Sequence, residues 1–382
     1  MSRRAYGTLN IEQRGPTTWR LRWRALGPDG KLKQMSETVK GSESKANKRA
    51  NQISTSLETG DFVAKNKMTV REFLDKWFED YVLTNCTEKT AQGYRQLIDC
   101  YGRDIANRQV QTLTTRDIQS VYSKMTKRGL KPTTVRAVHR MIHKALETGV
   151  EWEILKRNVS DGCTPPKIVK KEMKIWDAES RAKFFDSIKA HKYSDLLVFS
   201  VLTGARRGEI CGLTWGKVDL SDNRISIVKN IGRINGKGLV SRNPKTNRSR
   251  RSLALSPPAV KLLHEVRGKQ LVYQSIAGDQ WRSTGYVFTQ PDGKPIDPDL
   301  VTKAFNKMVK EAGVPHLTPH GLRHAYASAC LELGVDPKTV SQHLGHASVS
   351  TTYDIYAHVI PELEDEAVRK VAEKLLGKKE WN

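Results

Sequence analysis

The sequence predicts a multidomain α+β chain. A small three-stranded sheet with one helix comes first, then an all-α domain, then a mainly α domain that carries a small β-sheet. Three observations predict this. Apolar residues alternate with period two near the N-terminus, and from Val70 onward they recur at helical spacing. A Pro-Pro segment followed by lysines then separates these from a third region in which both periods occur. A length of 382 residues suits two or three domains, each able to bury a core.

In the first segment Trp19, Leu21 and Trp23 alternate with Arg20, Arg22 and Arg24. The pleat puts three apolar side chains on one sheet face and three arginines on the other. Gly27-Pro28-Asp29-Gly30 reads as a turn, with Lys31 to Val39 returning as the next strand. Residues 42–57 have the pattern of a helix covering the apolar face. The arginine face is either a solvated surface or a surface set in a DNA groove, and the basic balance of the segment favours the groove. Val70, Phe73, Leu74, Trp77, Phe78 and Tyr81 then form an amphipathic stripe, read as core rather than as a base-stacking platform. Further helices are expected over 87–100, 115–127 and 132–148, with Thr87 and Thr115 as N-caps. Pro165-Pro166 with Lys167, Lys170, Lys171 and Lys174 reads as an extended linker. The expected division is therefore 1–65, 66–160, a linker at 161–175, and 176–382.

Sixty-five Lys+Arg against 41 Asp+Glu leave a formal charge of +24, spread as +8 over residues 1–67, +5 over 68–160 and +11 over 161–382. A charge distributed along the whole chain fits a protein that grips a polyanion, most often nucleic acid, over a long path. No apolar run approaches the roughly 18–20 residues of a membrane span, and the N-terminus has no apolar signal region. Five scattered cysteines (Cys86, Cys100, Cys163, Cys211, Cys330) form no CxxC pair, which fits a reducing cytoplasm.

The third region holds the residues suited to chemistry. Thr203-Gly204-Ala205-Arg206-Arg207-Gly208-Glu209 follows an apolar helix, with Gly204 ending it and Arg206 and Glu209 opening the next. A strand pattern alternates over Arg224–Lys229, and a basic loop runs from Arg242 through Lys245, Arg248 and Arg250 to Arg251. Pro319-His320-Gly321-Leu322-Arg323-His324 starts a helix, with His320 and Arg323 one turn apart at its positive end. Leu344-Gly345-His346 and Tyr353-Asp354-Ile355-Tyr356-Ala357-His358 follow. Planar guanidinium groups can hold the oxygens of a phosphodiester and the charge of its transition state. A lysine or histidine can protonate a departing oxygen, and a tyrosine hydroxyl can be a nucleophile. No carboxylate cluster of two-metal type accompanies them, and Pro319 lies between His316 and His320, so no metal is expected.

In this order and spacing, Thr-Gly-Ala-Arg-Arg-Gly-Glu, Pro-Lys-Thr, His-Gly-Leu-Arg-His, Leu-Gly-His and Tyr-Ala-His resemble the tyrosine recombinase (phage integrase) family, as found in temperate phages and conjugative transposons. The resemblance implies an arm-type DNA-binding domain at 1–65, a helical core-binding (SAM-like) domain at 66–160, and a catalytic domain with a C-terminal tail helix at 176–382. It implies that Arg206 and Arg323 clamp the scissile phosphate and that Lys245 protonates the leaving 5′ oxygen. His320 would assist proton transfer at the nucleophile, His346 would bond the phosphate, and Glu209 would brace the site. Tyr356 would form a 3′-phosphotyrosine, with Tyr353 as the rival that lacks the following Ala-His. The bond energy is kept in that link, so neither a cofactor nor ATP is implied. Arg207 would be a backbone or DNA contact, His324 a core or supporting residue, and His343 a structural residue or a DNA contact. Arg20, Arg22, Arg24, Arg242, Arg248 and Arg250 are the candidate DNA contacts. The implied partners are double-stranded DNA at core and arm sites, three further copies joined through the tail around Val368, Val371, Leu375 and Leu376, and accessory excision and DNA-bending proteins. The alternatives are a resolvase-type recombinase, a type IB topoisomerase and a DNA-binding regulator without catalysis.

Overall fold

The computed structural model describes residues 9–26, 32–59, 62–169, 175–243 and 250–346, with 348, 350, 352–353, 368, 371–372 and 374–375. The chain forms two compact units, residues 1–170 and 171–382.

In the first unit, β1 (Asn10–Gly15), β2 (Thr18–Leu26) and β3 (Leu32–Lys40) form an antiparallel sheet with β2 central. Leu21, Trp23 and Ala25 are buried on one face, as the alternation requires, while Arg20, Arg22 and Arg24 stay half-exposed on the other. The 27–30 turn lies outside the described residues. Helix α1 (Glu43–Glu58) is capped by Ser42, which accepts from the Lys45 N–H, and lays Ala46, Ala50, Ile53 and Leu57 on the apolar face.

A second core belongs to the helical part: α2 (Val70–Trp77), α3 (Leu83–Asn85), α4 (Glu88–Tyr101), α5 (Thr115–Lys127) and α6 (Pro132–Glu151). The stripe expected over 70–81 does not continue as an α-helix. Phe78–Val82 widens to a π-helix, with the Leu83 N–H donating to the Phe78 carbonyl. The extra residue per turn brings Val82 into the core and sets Tyr81 against Trp77, rings stacked at 6.0 Å. The N-cap of α5 is also one residue earlier than expected. Thr114 forms the capping box with Asp117, because the Thr115 hydroxyl is drawn away to donate to the Val159 carbonyl. Residues after α6 are held on the bundle: Arg136 Nε donates to the Pro166 carbonyl and the Gln119 side chain bonds Thr164 twice.

The second unit contains α7 (Ala178–Ser187), α8 (Ser194–Thr203), α9 (Arg207–Cys211), β4 (Val218–Asp219), β5 (Arg224–Ile227), β6 (Asn230–Ile234), β7 (Gly238–Arg242), β8 (Arg251–Ala254), α10 (Pro257–Ala277), α11 (Pro298–Glu311), α12 (Pro319–Glu332) and α13 (Pro337–Leu344). Strands β4, β5 and β8 make one small sheet, and β6–β7 is a separate hairpin. The strand expected to reach Lys229 stops at Ile227. Beyond it the chain crosses to β6, where α9 packs so closely that a Cβ on Gly208 would lie 2.4 Å from Asn230 Oδ1. Helix α8 is apolar almost all round, as befits a helix wrapped by others in the core with Phe184, Phe199, Phe305 and Leu322. Among the described residues no helix is long and apolar enough to cross a membrane.

Candidate active site

The site is built where three helix ends meet. Gly204 ends α8 in the left-handed region (φ +61°), a conformation that disfavours any side chain. The chain turns there, and Arg206 becomes the N-cap of α9. Its guanidinium donates Nη1 to Glu209 Oε1 at 2.8 Å and Nη2 to the Gly345 carbonyl at 2.8 Å. Its backbone N–H donates to Glu209 Oε2 at 2.8 Å. Glu209 is 3% exposed. Burial by itself would raise its carboxyl, but the hydrogen bonds and charge of Arg251, then of Arg206, hold it below the ordinary carboxylate value.

Arg323 lies on α12 at 1% exposure, an extreme position for an arginine. It donates Nη1 to the Gly204 carbonyl at 2.9 Å and Nη2 to the Leu344 carbonyl at 2.5 Å, while its buried Nε has no partner. Burial, with Arg206 beside it, pushes Arg323 down to about 9, so it remains charged at neutral pH. Gly345 (φ +66°) caps α13 and turns the chain so that the Leu344 and Gly345 carbonyls face the two arginines. His346 follows, buried, with Nδ1 bonded to the Thr352 hydroxyl at 2.9 Å. His320 is one helical turn from Arg323 and packs edge-to-face on His324 at 4.6 Å. Burial and the neighbouring positive groups push both His320 and His346 down to about 4, so both imidazoles are neutral at pH 7.

Of the residues expected at the site, Arg206, Glu209, His320, Arg323 and His346 gather here. Lys245, Arg248 and Tyr356 lie outside the described residues. Tyr353 is described and is 53% exposed. Arg207, expected to be a backbone or DNA contact, pairs with Asp299 at 3.2 Å, α9 directing its side chain to the start of α11. His343 bonds the Thr203 carbonyl at 3.1 Å and stacks on Tyr326, a supporting role. Arg242 is half-exposed at the end of β7 and Arg250 is exposed. Arg22 makes a long ion pair with Glu12 at 3.7 Å. Among the described residues, the group of histidine and carboxylate atoms lying within 4.8 Å of one another is His143, Glu147 and Asp161, in the helical bundle.

Sequence reasoning missed Arg251 and Thr352. Arg251 was one basic residue in a basic run, yet it shares the inward face of β8 with buried Leu253, two residues on. That period-two relation was the available signal. Thr352 had none beyond its nearness to the Leu-Gly-His motif.

The arrangement offers two guanidinium groups, one of them with a free buried N–H, beside two neutral imidazoles. Such a cluster of side chains is suited to bind a phosphodiester and move protons around it.

Comparison with known proteins agrees with this reading. The profile of the Phage integrase family matches residues 174–362, and that of the Phage integrase N-terminal SAM-like domain matches 69–126. A tyrosine recombinase XerC-like protein of Caldanaerobacter subterraneus subsp. tengcongensis is 28% identical over 351 residues, spanning 87% of this chain and 89% of its own. The ICEBs1 integrase of Bacillus subtilis is 28% identical over 268 residues, spanning 70% and 72%. The fold is similar to that of the Tn1549 transposon integrase in complex with transposon right end DNA, at a TM-score of 0.69 and 21% identity over 81% of this chain and 100% of that one. It is also similar to a lambda integrase tetramer bound to a Holliday junction, at 0.57 and 16% over 89% and 96%. With the arginine–histidine site inside the span of the integrase profile, and the SAM-like profile on the helical part, the chain belongs to the phage integrase family of tyrosine recombinases.

Proposed function

We propose that this site-specific DNA recombinase cuts its substrate with Tyr356, on a phosphate held by Arg206 and Arg323. The observation that carries the reading is the paired guanidinium site, in which Arg323 is almost wholly buried yet keeps an unpartnered Nε. A buried donor without an acceptor carries a desolvation cost of about 1–3 kcal/mol, which an incoming phosphate oxygen would remove. The tyrosine oxygen attacks phosphorus, the bond to the 5′ oxygen breaks, and Lys245 supplies the proton that oxygen needs. His320, neutral at pH 7, is suited to take the tyrosine proton. The reverse attack by a 5′ hydroxyl on the phosphotyrosine rejoins the strand, so the bond energy is conserved and no cofactor is consumed.

In this reading the protein integrates a mobile element or prophage, and also excises it with helper proteins. The sheet of residues 1–65 is assigned to arm sites through Arg20, Arg22 and Arg24, and the helices of 66–160 to the core site. Arg242, Arg248 and Arg250 are assigned to DNA beside the cleaved bond. The active form is a tetramer joined through the C-terminal tail. The exposure of Val368, Val371 and Leu375 supports an apolar stripe available to a second copy. Five unpaired cysteines support action in the cytoplasm.

The test is a nicked duplex carrying the junction sequence that flanks the gene, incubated with the protein in EDTA. Wild type is expected to yield a covalent protein–DNA adduct, and Tyr356→Phe none while still binding. An adduct that survives Tyr356→Phe but is lost in Tyr353→Phe would reassign the nucleophile, and a need for metal would sink the mechanism.

A further inference from the structure

We infer that Arg251 is a positioning residue of the strand-cleavage reaction: it fixes the Glu209 carboxylate that in turn aims Arg206. This rests on the reading that Arg206 grips the scissile phosphate.

The four hydrogen bonds on Glu209 come from two arginines. Oε1 accepts Arg206 Nη1 at 2.8 Å and Arg251 Nη1 at 3.1 Å. Oε2 accepts the Arg206 backbone N–H at 2.8 Å and Arg251 Nη2 at 2.9 Å. Arg251 thus grips the carboxylate with a two-pronged fork from behind, and Arg206 takes the remaining lone pairs from the side of the site. The pair is dry, the Arg251 side chain being 7% exposed and that of Glu209 3%. The third donor of Arg251, Nε, reaches the His343 carbonyl at 2.6 Å. His343 lies in the last turn of α13, next to the Leu344 and Gly345 carbonyls that hold Arg323 and Arg206. One guanidinium on β8 therefore ties together α9 and α13, the two elements that aim the phosphate-binding arginines.

The physical consequence lies in the ionisation of Glu209. A carboxylate at this depth stays charged because opposite charges and hydrogen-bond donors face it, and Arg251 provides the larger share. Without Arg251 two donors are lost, burial favours the neutral acid, and a neutral acid holds Arg206 weakly. Glu209 would then need a higher pH to ionise, and Arg206 would be correctly aimed only above that pH. Lysine has the charge but not the planar fork, so it can replace the ionising effect in part and the geometry not at all.

The experiment measures single-turnover adduct formation on the nicked junction duplex between pH 5.5 and 8.5, with binding followed separately. It uses full-length wild type, Arg251→Met, Arg251→Lys, Glu209→Gln and the Arg251→Met/Glu209→Gln double variant. Arg251→Met is expected to cleave about 100-fold more slowly at pH 7 while binding DNA within about threefold. Its rate should climb with pH more steeply than that of wild type. Arg251→Lys should recover part of the rate and most of the wild-type pH profile. The double variant should be no slower than Glu209→Gln alone and should lose the added pH dependence, because no carboxyl is left to ionise. A wild-type rate and profile in Arg251→Met, or losses that multiply in the double variant, would overturn the inference. If Arg251→Met does not fold, as judged by thermal melting, Arg251→Lys decides. A wild-type rate with an unchanged pH profile there counts against the fork, and a slower rate with binding kept counts for it. No adduct from wild type itself would instead sink the reading of Tyr356 and Arg206.

Discussion

His346 is buried and His320 lies at the exposed start of α12, both beside positive groups, and those surroundings keep both rings neutral down to about pH 4. Their unfolded counterparts take protons near pH 6.5. Between these values the unfolded chain binds more protons than the folded one, so stability is full above about pH 6.5 and is lost as pH falls toward 4. Chemical denaturation of the protein across pH 7.5 to 4 should show that decline. His320→Gln and His346→Gln together should flatten it, and an unchanged slope in the pair would contradict the assignment. The same neutrality suits catalysis. A ring without a proton can take one from a tyrosine, and an arriving phosphate supplies the negative charge that makes the resulting cation tolerable.

Among the elements, the joint between α8 and α9 is tightly constrained where the site is built. Gly204 has a positive φ, and a Cβ there would lie 2.7 Å from both Leu344 Cδ2 and Tyr326 Cδ1. The carbonyl of the same residue accepts from Arg323. Gly204→Ala therefore meets backbone strain and a packed wall at once, an expected loss of about 2–4 kcal/mol. The variant should also misplace Arg323 and Arg206, lowering adduct formation beyond what the lost stability explains at a temperature where it is folded. Urea denaturation alongside the cleavage assay separates the two effects. Wild-type stability in Gly204→Ala would show that the joint can relax.

For the whole molecule, the charge of +24 is distributed over every part, with +8 within residues 1–67. Each phosphate neutralised releases counterions, so binding should weaken steeply and linearly on a log–log plot against salt. The sheet and α1 have their own core, separate from that of the helical bundle. Deleting residues 1–60 should leave the bundle folded and core-site cleavage intact. It should abolish binding to a separate arm sequence and make the salt slope shallower. Equal binding of core and arm duplexes by the truncated protein, read by gel shift, would argue against an arm-binding role for the sheet.

The sequence by itself determined most of the elements and the residue types that gather at the site. Period-two and helical stripes located β2, α1 and the bundle, because burial on one face writes its period directly into the chain. Motif order and spacing single out Arg206, Glu209, His320, Arg323 and His346. Local competition was less legible. The cap at Thr114 depends on the contact of Thr115 with distant Val159, and the apolar stripe itself does not mark the π-turn at Phe78–Val82. The connections between motifs were not legible at all. That Glu209 is shared by Arg206 and Arg251, and that backbone carbonyls of Gly204, Leu344 and Gly345 aim the arginines, required the tertiary structure. A basic run of residues is uniform in composition. Only the fold decides which of its arginines is turned inward, where a low dielectric and a buried carboxylate give it a specific role.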